Sequence, residues 1–382
     1  MHALLGRVTT EHKRVAESPT MRTLFLTTDS FGGHGGLAKY NRDLLLALSS
    51  DPSVGEIVVL PRRVDGSIEH LPAKLTFVTD GVGSKAKFLT TVARWVGRPG
   101  RFDLVVCAHI NLIQPALVAA WRYHARLILC IYGIDAWTRH SRTAEWACRA
   151  IYGFVSISQV TADRFRSWAP VKGKKEWILP NAVELDRFSP GPRNPTLVAR
   201  YGLEGKTVIA TLARLDSSER MKGVDEVLEI LPHLLRTHPG LVYLIMGDGS
   251  DKERLEGRAR ALGLAGHVAF AGRILEAEKT DHYRLADAFV MPSRGEGFGF
   301  VFLEALACGV PVVASSIDGG REAVRDGLLG SLVDPRNPDD IVRGIEEALG
   351  KGVGLVPPGL SYFSFENFAS RARRFVGDLA CP

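Results

Sequence analysis

Two successive series of short apolar runs, each run followed by a stretch with helical spacing, constrain this chain more than any other feature. Runs at 22–28, 56–60, 103–107, 126–131 and 153–157 alternate with helical patterns at 36–49, 84–97, 113–123, 143–150 and 160–168. After the Pro-bearing segment ILPNAVELDRFSPGPRNP (178–195), the alternation restarts, with strands at 207–212, 241–246, 267–271, 288–291 and 311–314. The helices of this second series fall at 222–237, 251–262, 276–286, 299–308 and 338–349. Such alternation signifies parallel sheets with helices on both faces. At 382 residues the chain exceeds the roughly 250–300 at which one core usually splits, so two domains facing across a cleft are expected. The fold class is α/β, with two Rossmann-like doubly wound sheets over 21–186 and 187–361. The final stretch, 361–380, puts Phe365, Phe368, Ala372 and Phe375 on one helical face that suits either domain.

A chain that is 46% hydrophobic and 24% charged is expected to be globular. Its five Cys are scattered without a C-x-x-C pair, so neither a zinc site nor a disulfide framework is expected. The sequence shows neither an apolar run of the roughly 18–20 residues that span a bilayer nor the apolar centre of a signal peptide, so a cytoplasmic location is expected. Residues 1–20 lack a strong period and are expected to form a disordered tail. Residues 1–189 carry 25 basic and 16 acidic side chains against 23 and 26 in residues 190–382, so the first half favours an anionic partner.

In open α/β sheets ligands bind beyond the carboxyl ends of the strands, which directs attention to the loops after strands. The first strand runs into Gly32-Gly33-His34-Gly35-Gly36, where glycines let backbone approach a ligand and a helix N-terminus offers N–H groups to an anion. A flexible turn explains the same residues. His109 stands at the end of strand 103–107 and Asp135 follows strand 126–131. In the second half Arg214 ends one strand and Lys222 follows eight residues later, two cations suited to a diphosphate or simply to the surface. The richest loop is Arg294-Gly-Glu296-Gly-Phe298-Gly299-Phe300, which leads into an apolar helix carrying Glu304. The amides of Phe298, Gly299 and Phe300 suit phosphate, and two carboxylates suit sugar or ribose hydroxyl pairs. Glu304, surrounded by FVFLEALACG, needs a partner to be tolerated there.

Together these residues resemble the family 4 retaining glycosyltransferases of GT-B fold. The likeness rests on GGHGG, PNAVELDRF, ARL with MKG, MGDGSDKERLE, VAFAGRI and EGFGFVFLEALACGVPVVAS in that order. The resemblance implies that Arg214 and Lys222 hold the diphosphate of a UDP- or GDP-sugar, Glu304 the ribose, and Glu296 with the 298–300 amides the donor sugar. It implies that Gly272 and Arg273 line the base pocket, that Gly35 and Gly36 lie beside the diphosphate, that His109 faces the transferred sugar, and that Asp135 lies towards the acceptor. It also assigns the last helix, 362–382, to the N-terminal domain. One departure is Asn181-Ala182 where the family usually has Asn-Gly, which requires a turn without strongly positive φ, or strain.

The expected activity is retaining hexosyl transfer to a saccharide or lipid-linked acceptor in polysaccharide or glycolipid biosynthesis. A nucleotide-sugar epimerase or a glycosyl phosphorylase on the same scaffold is the alternative. The sequence has no Asp-x-Asp triplet, so neither cofactor nor metal is expected. A dinucleotide site is disfavoured because the G-x-G-x-x-G spacing is missing after the first strand, and no nucleic acid is expected among the partners. Residues 84–101 combine Lys85, Lys87, Arg94, Arg98 and Arg101 with Phe88, Leu89, Val92, Trp95 and Val96. That pattern suits either a peripheral helix on anionic membrane or an ordinary amphipathic helix.

Overall fold

The computed structural model describes residues 20–68 and 70–380. The N-terminal lobe runs β1 (Met21–Thr27), α1 (Gly36–Ser49), β2 (Val54–Pro61), β3 (Leu75–Phe77), α2 (Lys85–Val96), β4 (Leu104–Ala108) and α3 (Ile113–Tyr123). It continues with β5 (Arg126–Ile131), α4 (Ile134–Trp137), α5 (Arg142–Cys148), β6 (Gly153–Ser156), α6 (Gln159–Arg166) and β7 (Lys175–Ile178). The C-terminal lobe opens with α7 (Pro195–Tyr201), β8 (Thr207–Leu212), α8 (Val224–Thr237), β9 (Leu241–Met246), α9 (Lys252–Ala261) and β10 (Val268–Gly272). It closes with α10 (Lys279–Tyr283), β11 (Ala288–Met291), α11 (Phe300–Ala307), β12 (Val312–Ser315), α12 (Gly320–Ala323), β13 (Ser331–Val333) and α13 (Pro338–Lys351), before α14 (Phe365–Ala380). The expected tail over 1–20 and Cys381 lie outside the described residues, apart from Thr20.

Both sheets are parallel and share one plan. The first has the order β3-β2-β1-β4-β5-β6-β7 and the second β10-β9-β8-β11-β12-β13. In each the chain builds outward from its first strand and then returns to the other side of it. The loops after β1 and β4, and after β8 and β11, therefore flank a switch point, where two neighbouring strands send their helices to opposite faces and leave a crevice. Strand cores such as Leu24, Phe25 and Leu26, or Val208, Ile209 and Ala210, are fully buried, as strands covered on both faces require.

The last helix packs against α1 of the N-terminal lobe. Phe368 meets the Tyr40 ring at 5.7 Å and Phe375 meets Trp177 at 4.9 Å, while Trp177 Nε1 donates to Asp378 at 2.8 Å. Each Phe buried in this way contributes about 1.5–3 kcal/mol. Ala182 is buried and, among the described residues, positive φ outside glycine occurs only at His124, Arg325 and Asp326. The Asn181-Ala182 turn thus avoids left-handed backbone and needs no glycine. The helix after EGFG starts at Phe300, one residue later than the expected 299, with Gly299 as its N-cap, so Glu304 sits about one turn inside it.

Candidate functional site

The switch point of the C-terminal sheet explains which loops meet. The β8 loop carries Lys222 and the adjacent β11 loop carries Glu296, and Lys222 Nζ donates to Glu296 Oε2 at 2.8 Å. Both side chains are largely buried, 16% and 17% exposed. Burial disfavours the Lys222 ammonium, but Glu296, with Glu219 and Asp318, more than offsets that, and its pKa is raised. The lysine is therefore a fixed cation at the mouth of α11.

Glu296 is held from several sides. Its N–H donates to Asp318 Oδ2 at 2.8 Å, and its Oε1 accepts from the amides of Gly297 at 3.1 Å and Phe298 at 3.4 Å. Asp318 is buried, accepts from Ser293 Oγ at 2.6 Å and from Gly320 N–H at 2.9 Å, and desolvation raises its pKa to about 6. Of the three predicted amides, that of Phe298 serves Glu296, while Phe300 opens α11 with a donor that has no carbonyl one turn back. The Phe298 ring is a core side chain against Phe363 at 5.5 Å, so only its backbone faces the loop.

Glu304 lies further along α11, packed behind this loop. It is 2% exposed, accepts from Tyr283 Oη at 2.7 Å, and has Lys279 Nζ 3.4 Å from both carboxylate oxygens. Those are the partners that its apolar surroundings demand. Arg214 stands apart: its side chain is 70% exposed and pairs with Glu219, which lies between it and Lys222 in charge influence. Gly272 closes β10 and its carbonyl accepts from Gly247 N–H at 2.8 Å. Arg273 beside it is exposed and, among the described residues, forms no ion pair with the other predicted groups.

The N-terminal lobe closes over the same loop. A Cβ placed on Gly36 would lie 3.3 Å from the Phe300 ring, so the starts of α1 and α11 face each other directly. Gly35, the N-cap of α1 with φ 86°, has open space where a side chain would stand. Lys39, one turn further along α1, sits over the Phe300 ring at 5.6 Å and pairs with Glu184 at 2.5 Å. Gly133 lies against Gly297, and Ser158 Oγ donates to the Gly297 carbonyl at 2.7 Å.

His109 caps the 3-10 turn after β4, its Nδ1 accepting from Asn111 N–H at 3.1 Å. Burial, with His140 and Arg62 nearby, lowers its pKa to about 4, so the ring is neutral near pH 7. With Nδ1 engaged as an acceptor, the remaining proton belongs on Nε2, which makes the imidazole a donor. Asp135, in the first turn of α4, has an Oδ2 that is buried without a partner, and desolvation raises its pKa to about 7.

The structure therefore brings Lys222, Glu296, Gly36 and Phe300 together, seats Glu304 behind them, and leaves Arg214 and Arg273 at the rim. Residue reasoning missed Asp318, Tyr283, Lys279 and Lys39. Asp318 had a signal, since SSIDGG follows an apolar strand as the other site loops do. The others sit within helices and had none.

The family model for glycosyl transferases group 1 matches residues 196–352. A D-inositol 3-phosphate glycosyltransferase of Streptomyces bingchenggensis is 30% identical over 351 residues, 84% of this chain and 73% of that protein. A GDP-mannose-dependent alpha-(1-6)-phosphatidylinositol monomannoside mannosyltransferase of Mycolicibacterium smegmatis is 36% identical over 227 residues, 57% of this chain. The match spans 58% of that relative's length, and 51% of its Mycobacterium tuberculosis counterpart. Among solved structures, Anabaena HepE in complex with UDP superposes with a TM-score of 0.71 at 20% identity, over 94% of this chain and 100% of that one. A sucrose-phosphate synthase from Thermosynechococcus elongatus gives the same TM-score and identity over 94% and 99%. These structural likenesses establish the GT-B fold.

Proposed function

Because the chain belongs to the glycosyl transferases of group 1, we propose that it moves a hexosyl unit from a UDP- or GDP-sugar to a saccharide or lipid-linked acceptor, with retention at the anomeric carbon. One observation carries this reading: a buried lysine paired with Glu296 at the start of α11, directly opposite the start of α1. Cleaving a sugar–phosphate bond leaves negative charge on the diphosphate, and preorganised cations and N–H dipoles stabilise that charge most effectively. Lys222 and the opposed N-termini of α1 and α11 are suited to it, with Arg214 closing on the outer phosphate from the rim. A donor would take Lys222 from Glu296 and free the carboxylate to accept sugar hydroxyls.

Glu304, already ordered by Tyr283 and Lys279, would accept the ribose hydroxyls, with Gly272 and Arg273 at the base. His109, neutral with its proton on Nε2, would donate to a hydroxyl of the transferred sugar. Asp135 would receive an acceptor hydroxyl on its unpartnered oxygen. In same-face attack the leaving phosphate takes the acceptor proton, which explains why the scheme uses no protein nucleophile. Lys222 and the helix dipoles replace the charge a divalent ion would provide, so turnover is expected in excess chelator. The relatives named for GDP-mannose and for inositol-bearing acceptors make those the first substrates to try.

The test is product analysis with a panel of nucleotide sugars, with and without acceptor. Glu296→Ala should leave a few per cent of transfer or less, and Lys222→Ala should weaken nucleotide-sugar binding at least about tenfold, as loss of a buried charge partner implies. Wild-type rates in both folded variants would reject the assignment.

A further inference from the structure

The basic segment at 84–101 is the one sequence motif that the transfer chemistry does not absorb. Its apolar face is not available to lipid: Phe88 and Val92 of α2 are 2% and 3% exposed in the core of the N-terminal lobe, and Trp95 lies half-buried beneath the Arg98 guanidinium at 4.0 Å. What α2 turns outward is Lys85, Lys87, Arg94 and Leu89.

The large apolar groups on this side belong to its neighbours. Helix α3 packs beside α2 and α5 beside α3. From α3 projects Trp121, 61% exposed, and from α5 Trp146, 50% exposed, their rings meeting edge to face at 5.8 Å. Val118, one turn before Trp121, is 56% exposed. Tryptophan is highly buried on average, and two left side by side in water mark a contact surface, above all where one face is apolar and the rim is wet. Around the pair stand Arg122 and Arg142, both exposed. Neither α2 nor α3 contains an acidic residue, and the one acid of α5, Glu145, is paired with Arg139 at 3.1 Å.

We propose that the α2–α3–α5 side of the N-terminal lobe docks on an anionic lipid bilayer, with Trp121 and Trp146 entering the headgroup region. The charge selects this occupant over a second copy of the chain. A two-fold contact would set this basic surface against itself, whereas an anionic leaflet complements it. Helix α3 starts just after the turn capped by His109 and runs back from the cleft, so Trp121, about 12 Å beyond Ile113 along the helix, puts the tryptophan pair on the flank of the lobe and leaves the cleft mouth uncovered. The inference does not depend on the transfer reaction.

The test is co-sedimentation of the full chain with vesicles of phosphatidylcholine containing about a third phosphatidylglycerol, beside pure phosphatidylcholine. Binding is expected only to the anionic vesicles, and it should fall at least about tenfold between 0.1 and 0.5 M salt as the charges are screened. Bromine-labelled lipids should quench wild-type tryptophan emission, and Trp121→Ser with Trp146→Ser should abolish that quenching and lower binding about tenfold while nucleotide binding is retained. No binding to anionic vesicles, or binding without tryptophan quenching, overturns the proposal. So does a concentration-dependent dimer in solution that the double substitution dissolves. Quenching is read on the unaltered chain, so the test stands even where the double variant folds poorly.

Discussion

At the scale of single residues, two carboxyl groups show how burial decides a role. Glu304 is ionisable, 2% exposed and tolerated because Tyr283 and Lys279 supply donors. Tyr283→Phe removes the 2.7 Å bond and leaves that buried carboxylate oxygen with only the longer Lys279 contact at 3.4 Å, which should cost about 1–3 kcal/mol in urea unfolding. An unchanged unfolding midpoint would mean that Lys279 alone suffices. Asp135 shows the opposite condition. Desolvation raises its pKa from 3.8 to about 7, so between those pH values the folded chain holds a proton that the unfolded chain has lost. Its contribution is therefore present below about pH 4 and disappears as pH rises through 7. Asp135→Asn should melt above the wild type at pH 8, with a gap that narrows on acidification and closes near pH 4. A gap independent of pH would show that the carboxyl is not the cause.

At the scale of elements, the turn from Ser293 to Gly299 is fixed by contacts from both lobes. A Cβ on Gly297 would lie 2.3 Å from the Tyr132 carbonyl oxygen, and one on Gly319 would lie 2.0 Å from the Gly297 carbonyl oxygen. Both clashes are with backbone, which cannot move aside cheaply. Gly297→Ala should therefore lower nucleotide-sugar turnover at least about tenfold while circular dichroism stays that of the wild type. Full activity would show that the lobes need not meet here. The glycine-rich turn itself was legible, because glycines between an apolar strand and an apolar helix announce it. The reason for Gly297 was not, since the Tyr132–Gly133 segment that presses on it comes from the other lobe, far off in sequence. The strands that periodicity overlooked have a common cause. Among them β3, β7 and β13 are three or four residues long and lie at sheet edges, and β7 begins with Lys175 and Glu176, so no buried apolar run advertises them.

At the scale of the whole molecule, the two lobes meet along a polar seam in addition to the glycine contacts. Glu322 of α12 accepts from the amides of Gln159 at 2.7 Å and Val160 at 2.8 Å, the first donors of α6 in the other lobe. A carboxylate at a helix N-terminus is a favourable but dissociable clasp. Glu322→Ala should open the lobes, giving a larger radius of gyration by X-ray scattering without nucleotide and a raised KM for the donor. An unaltered scattering curve would place the control of closure elsewhere. Two α/β lobes were readable from the repeated alternation, because each strand buried on both faces writes an apolar run. The meeting of Lys222 with Glu296 was not readable from their spacing of 74 residues and follows from the strand order, which puts β8 beside β11.

In the proposed transfer the leaving diphosphate is stabilised at the start of α11. A crystal structure with GDP or UDP bound tests it most directly. The pyrophosphate is expected within hydrogen-bond reach of Lys222 and the Phe300 amide, near Gly36, with Arg214 swung in from Glu219. A pyrophosphate seated elsewhere, with the Lys222–Glu296 pair left intact, would contradict it.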